Sequence, residues 1–289
     1  MIQQSWTSPD GVVYSLTDTT SGVWLNDAGV EGLGTPQMVE FTSESSAVDG
    51  QRLTGFRARA REVFWPVVID ATAASWQALQ SEFWAALPFG RNGVWRVTAP
   101  DGSVRSLTAR FVSEDGPVYG ADPSRTGVEV RGVNLVADDP FWRGPQVLQT
   151  FQTAEDEQPF FNATGTHVLN LMSSSTSATA TVSNPGEVDA WPLWTVTGPA
   201  SSFTIGVGST VIAGTIALLE GESVQVNTDP TVQVARKIVG GVSTVLPFSA
   251  FTSIQFARIP PGGSVPLTVE IQGAGSVSVQ FDPGFRRAF

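Results

Sequence analysis

Trp95-Arg96-Val97-Thr98-Ala99-Pro100-Asp101-Gly102-Ser103-Val104-Arg105-Ser106-Leu107-Thr108-Ala109-Arg110-Phe111 is the stretch that decides the fold class. Trp95, Val97 and Ala99 alternate with Arg96 and Thr98, and Leu107, Ala109 and Phe111 alternate with Thr108 and Arg110. A period of two sends successive side chains to opposite faces of a strand, so each run has one apolar and one wet face. Pro100-Asp101-Gly102-Ser103 joins the two runs with the Asp-Gly chemistry that hairpin turns demand. The same dipeptide stands at Asp10-Gly11, Asp49-Gly50 and Asp115-Gly116 between short β-branched runs. The first half therefore reads as antiparallel β.

Upstream of the hairpin, Arg57, Arg59 and Arg61 alternate with Ala58 and Ala60 and lead into Val63-Phe64-Trp65-Pro66-Val67-Val68-Ile69. Read as one strand, this makes a stripe of three arginines. Such a stripe either grips acidic groups on a neighbouring subunit or is a solvated strand face, and the second reading is favoured. One segment breaks the pattern. Trp76, Leu79, Phe83 and Leu87 fall at i, i+3, i+7 and i+11, which predicts a helix of about four turns, capped by Thr72 or Asp70 and ended by Pro88. Its apolar stripe is expected to pack on the sheet.

At 289 residues the chain is long enough for two domains, with a single large β fold as the alternative. The composition changes after Asp138-Asp139-Pro140-Phe141-Trp142-Arg143-Gly144-Pro145, and seven of the nine Trp lie before the end of that segment. The expected domains are 1–145 and 146–289. Beyond the boundary, the run Ser173 to Val182 has the composition of a linker and the alternation of a strand, and both readings stand. From Trp191 to Phe281 strand-sized runs recur between turn residues: Leu193–Val196, Phe203–Val207, Val211–Leu219, Ser223–Val226, Val265–Ile271 and Ser276–Phe281. That spacing predicts a β-sandwich.

Composition narrows the function classes. Hydrophobic residues make up 41% and charged residues 15% of the chain, against roughly 25% charged in an average soluble protein. So neutral a surface fits subunit contacts, whose cores are depleted of charge, and fits equally a β fold with Ser and Thr outside. The net charge of −11 is spread over both halves, and it repels phosphate backbones. Sequence recognition of nucleic acid is not expected. Cysteine is absent, which removes disulfides, thiolate metal sites and a Cys nucleophile together. The start Met-Ile-Gln-Gln-Ser-Trp has no signal-peptide pattern and no run approaches a membrane span, so the expectation is a product of the cytoplasm without membrane insertion.

The inventory for catalysis is thin. His167 is the single histidine and Lys237 the single lysine, and His167 lies in no nucleophile motif. Asp138 and Asp139 are adjacent and would point apart on a strand. Glu155-Asp156-Glu157 reads as a solvated loop, with a cation site as the lesser reading. Gly29, Gly32 and Gly34 form G-x-x-G-x-G, the wrong order for a dinucleotide fingerprint, with Pro36 where a helix should start. Asn162-Ala163-Thr164 fits a glycosylation sequon but has no secretory context. The expectation is a chain with no catalytic, cofactor-binding or metal-binding residues, and not an enzyme.

The order of elements resembles a family, the distal tail proteins of long-tailed phages (siphophages). The resemblance rests on Gly32-Leu33-Gly34-Thr35-Pro36, the Trp76–Leu87 helix, the hairpin around Pro100 to Arg105, closure by Asp139-Pro140-Phe141-Trp142, and three later segments. These are Asn184-Pro185-Gly186-Glu187-Val188-Asp189-Ala190-Trp191-Pro192, Leu219-Glu220-Gly221-Glu222-Ser223-Val224 and Ile259-Pro260-Pro261-Gly262-Gly263. The resemblance implies a mainly β fold, with an N-terminal antiparallel β hub domain carrying one packed helix and a C-terminal galectin-like β-sandwich. It implies a structural virion protein at the tail tip: a homo-oligomeric ring, usually a hexamer, at the distal end of the tail tube. The implied partners are the tail tube protein, a tail-tip hub or tail-associated protein, and the tape measure protein. No long insertion adds a separate sugar-binding module. The rival reading is a carbohydrate-binding module in which Trp191 and Trp194 stack on a glycan.

Overall fold

A computed structural model of the chain describes residues 1–26, 29–72, 75–115, 122–154, 168–172 and 180–289. It divides into two compact units, Met1–Gly144 with Phe285–Phe289, and Pro145–Gly284. The chain therefore enters the second unit once and returns. The last five residues, assigned to the second domain by sequence, pack with the first.

The first unit contains β1 (Gln3–Thr7), β2 (Val13–Ser15), β3 (Val23–Leu25), β4 (Met38–Ser45), β5 (Val48–Ala58), β6 (Arg61–Asp70), α1 (Trp76–Ala85), β7 (Asn92–Thr98), β8 (Val104–Glu114), α2 (Pro123–Thr126), β9 (Val128–Ala137) and β10 (Trp142–Arg143). Its main sheet runs β2-β1-β7-β8-β9-β6-β3, antiparallel at each step, with β10 against β8. The hairpin read from sequence is β7–β8, with Trp95 opposite Leu107 and Val97 opposite Arg105. Gly102 takes φ 86°, and Asp101 Oδ1 accepts from the Ser103 amide at 2.9 Å, which closes the turn.

Four tryptophans from four strands hold this unit's core. Trp6, Trp65, Trp95 and Trp142 are at most 1% exposed, and their rings meet in sequence at 5.2, 5.3 and 4.9 Å. Tilted and edge-on contacts of this kind add about 0.5–1.5 kcal/mol each beyond the burial itself. Three of the indole N–H groups donate at 3.2 Å, from Trp6 to the Ala86 carbonyl, from Trp95 to Gln4 Oε1 and from Trp142 to the Gly32 carbonyl.

Helix α1 packs Phe83 fully into this core, with Trp76 and Leu79 partly buried beside it. Its ten residues make just under three turns, and Leu87 is buried beyond its end. Ser75 is the N-cap, in place of Thr72 or Asp70; the Thr72 carbonyl accepts from the Ser75 and Trp76 amides at 2.9 Å each. The four-residue α2, capped by Asp122 through the Ser124 amide, has no periodic signal in sequence because it is a single turn.

The three-arginine stripe does not exist as one strand. β5 ends at Ala58 and β6 begins at Arg61, whose side chain turns inward and is 3% exposed. It donates to the carbonyls of Pro140 (2.7 Å), Gly32 (2.7 Å) and Arg286 (2.8 Å), and to that of Gly34. Gly32 can serve because its φ is 101° and a Cβ there would meet Val63 Cγ2 at 2.7 Å.

The second unit contains β11 (Val147–Ala154), β12 (Val168–Met172), β13 (Thr181–Asn184), β14 (Leu193–Thr197), β15 (Ser202–Val207), β16 (Thr210–Gly214), β17 (Ser223–Asn227), β18 (Val234–Val239), β19 (Val242–Leu246), β20 (Ser253–Ile254), β21 (Gly262–Gln272) and β22 (Ser276–Phe281). Two sheets, β12-β11-β22-β14-β17-β18-β19 and β13-β21-β15-β16-β20, share one core. Trp194, Val196, Val224, Val226, Val277 and Val279 enter it from the first sheet, and Phe203, Ile205, Ile212, Leu267 and Val269 from the second. This is the sandwich that the strand spacing predicts. Sequence missed β11, β12, β18, β19 and β20. Of the run Ser173 to Val182, open between linker and strand, Thr181 and Val182 belong to β13. The residues from 173 to 179 in the same run lie outside the described residues.

The two turn motifs of this unit are stitched by a buried amide. Asn184, 0% exposed, donates to the carbonyls of Val188 (2.9 Å) and Ile259 (3.0 Å) and accepts from the Gly186 amide (2.9 Å). Both hydrogen bonds between Ala190 and Ile259 lock the same pair of segments. At the third motif, Glu222 Oε2 accepts from the Leu219 amide at 3.0 Å and pairs with Lys237 Nζ at 2.8 Å. The Lys237 contact, more than the amide, holds the Glu222 carboxyl below its usual range.

Candidate assembly surface

The strands β4 and β5 pair with each other and, among the described residues, with no third strand. At about 3.3 Å per residue, the eleven residues of β5 reach roughly 36 Å. A lone two-stranded hairpin is marginal in water. This one nevertheless leaves Met38, Phe41, Leu53 and Phe56 at 41, 46, 53 and 64% exposure. Exposed apolar side chains gathered on one element mark a contact surface.

The register shows which residues share a face. Met38 lies opposite Ala58, Glu40 opposite Phe56, Thr42 opposite Leu53 and Glu44 opposite Gln51, and opposed residues point the same way. The other face carries Val39 with Arg57, Phe41 with Gly55, and Ser43 with Arg52. The Arg57 guanidinium stands 5.6 Å from the centre of the Phe41 ring, which places both on this second face. A bulge at Thr54, whose hydroxyl bonds the Phe41 carbonyl at 2.8 Å, preserves the alternation across the arm. One face is thus acidic and apolar and the other basic and apolar.

A second exposed apolar feature of the first unit is Phe89, 76% exposed where the chain leaves α1. Its ring leans on Phe111 at 4.9 Å, and Phe111 meets Trp84 at 6.0 Å. Val128 and Val130, on the outer face of β9, are 42 and 56% exposed. Sequence could not separate these from core residues, because a buried and an exposed Val or Phe look alike in a period-two run.

The carboxylates and aromatics singled out by sequence do not converge. Asp138 is bound by Arg110 (3.1 Å) and Asp139 by Arg143 (2.6 Å), each on its own exposed ion pair. Arg131 joins Glu129 in a buried pair and reaches Glu114 at 3.6 Å. Trp194 is 1% exposed in the sandwich core, so it cannot join Trp191 in a platform for a sugar ring. His167, Glu155-Asp156-Glu157 and Asn162-Ala163-Thr164 lie outside the described residues. No group of three or more His, Asp or Glu able to hold a metal occurs among the described residues. No helix there is long and apolar enough to cross a membrane.

A mainly β chain of two units is the class that this geometry defines, and solved structures share the fold. The chain is similar to the Dit (gp 19.1) protein of phage SPP1, described as a paradigm of the hub adsorption apparatus in phages infecting Gram-positive bacteria. That likeness has a TM-score of 0.66 at 14% identity over 99% of both chains. It is similar also to a chain of the phage P2 baseplate in its activated conformation, with a TM-score of 0.54 at 10% identity over 97% of this chain and 98% of that one. The fold is therefore that of the phage hub protein, as the sequence resemblance implied. In sequence the chain is 31% identical over 152 residues to minor tail protein Gp27 of Mycobacterium phage L5, across 51% of this chain. The match spans 45% of that relative, about half its length. No family model matches the chain.

Proposed function

We propose that this chain is a structural subunit of a phage tail, forming a ring, hexameric by the resemblance, at the distal end of the tail tube. In this reading the first unit makes the ring and joins the tail tube to the tip complex, and the second, a galectin-like sandwich, projects outward. The observation that carries the reading is the fold likeness to a hub protein along 99% of both chains. The half-length sequence match to a minor tail protein and the exposed apolar hairpin support it. The role is mechanical. Its partners would be other copies, the tail tube protein, a tail-tip hub or tail-associated protein, and the tape measure protein. Gold-labelled antibodies against the chain, applied to purified virions, should decorate the end of the tail farthest from the capsid. Labelling along the tail shaft or on the capsid would contradict the assignment.

A further inference from the structure

The two faces of the β4–β5 arm carry opposite charge. Glu40 and Glu44 lie on the face with Met38, Leu53 and Phe56, and Arg52 and Arg57 on the face with Val39 and Phe41. Arg59, one residue past β5 and also exposed, continues the basic parity. Asp49 and Gly50 sit in the irregularity at the tip, between the pairs Ser45–Val48 and Glu44–Gln51. All four charged side chains are exposed, and among the described residues none of them forms an ion pair with another of the four.

Resting on the ring reading, we propose that the arm docks face to face on the arm of a second copy of this chain, the Glu40/Glu44 face of one against the Arg52/Arg57 face of the next. The apolar rows give the contact its burial and the charges give it direction. A two-fold pairing would set Glu40 and Glu44 against their own equivalents, or the arginines against theirs, and like charges in contact cost several kcal/mol. Acid against base is satisfied by a head-to-tail arrangement, in which each copy offers one face and accepts the other. Repeated contacts of that kind close into a ring when the rotation allows. A nucleic acid on the arginines is the less favoured occupant, because the same thin element presents Glu40 and Glu44 behind them and the chain carries −11.

The test is sedimentation velocity on the full chain with two charge reversals, E40K/E44K and R52E/R57E. Each variant alone should associate at least ~10-fold more weakly than the unaltered protein, since its two faces then carry one sign. An equimolar mixture should regain assembly, because the two altered faces complement each other and the two native faces do the same. Melting curves matching the unaltered protein show that both variants fold. If the unaltered protein forms rings and either reversal leaves them intact, or the mixture fails to recover, the arm contact is wrong and the ring reading stands. If the unaltered protein stays monomeric, both fall.

Discussion

Arg61 shows how far a side chain's role can lie from its place in a sequence pattern. Its four carbonyl partners belong to residues 27 to 225 positions away, so a local reading sees an arginine at period two and assigns it to water. Burial pushes the guanidinium down to about 10, with Asp139 acting in the opposite direction, so the group is still protonated at neutral pH. A fork of five donors suits several acceptors at once, which a lysine cannot match. Arg61→Leu leaves the carbonyls of Gly34, Pro140 and Arg286 without this donor, while Gly32 keeps Trp142. Hydrogen bonds from charged donors contribute about 1.5–3 kcal/mol each, so the variant should lose on the order of 3–5 kcal/mol in urea unfolding. A loss below about 0.5 kcal/mol, ordinary for a surface position, would mean that the clip is not formed.

Helix α1 was legible because an amphipathic period survives without knowledge of partners. Trp76, Leu79, Phe83 and Leu87 do lie on the core side, and Phe83 is completely buried. Phe83→Ala should therefore cost about 3–5 kcal/mol, read as a lowered melting temperature. An unchanged melting temperature would put the stripe outside the core. The β7–β8 hairpin was equally legible, since its turn chemistry and alternation agree. The arm was not. Its strands mix Glu, Phe, Thr, Ser and Arg without a clean apolar face, because neither face is buried in the isolated chain. Missing β18 and β19 have a related cause: β19 is an edge strand with four of five residues exposed, so its pattern is set by solvent on both sides.

At the scale of the molecule, the two-part composition marked a crossing near Gly144, but nothing local announced the return at Phe285. The tail is held by non-local contacts: Arg105 over the Phe285 ring at 3.9 Å, its bond to the Arg287 carbonyl at 2.8 Å, and the Ala288 amide on the Leu33 carbonyl at 2.9 Å. A sequence pattern records periodicity and turns, and these contacts have neither. The exposed apolar side chains of the arm escaped the sequence for the same reason, since exposure is a property of the folded whole.

In the proposed function the chain builds a ring through its own copies. Native mass spectrometry of the purified full-length protein, with negative-stain images of the same sample, tests it most directly. A six-membered ring gives a closed species at six times the chain's 30.6 kDa, seen as annular particles. A single species at the chain mass across the micromolar range, seen as compact particles without a central opening, would contradict it.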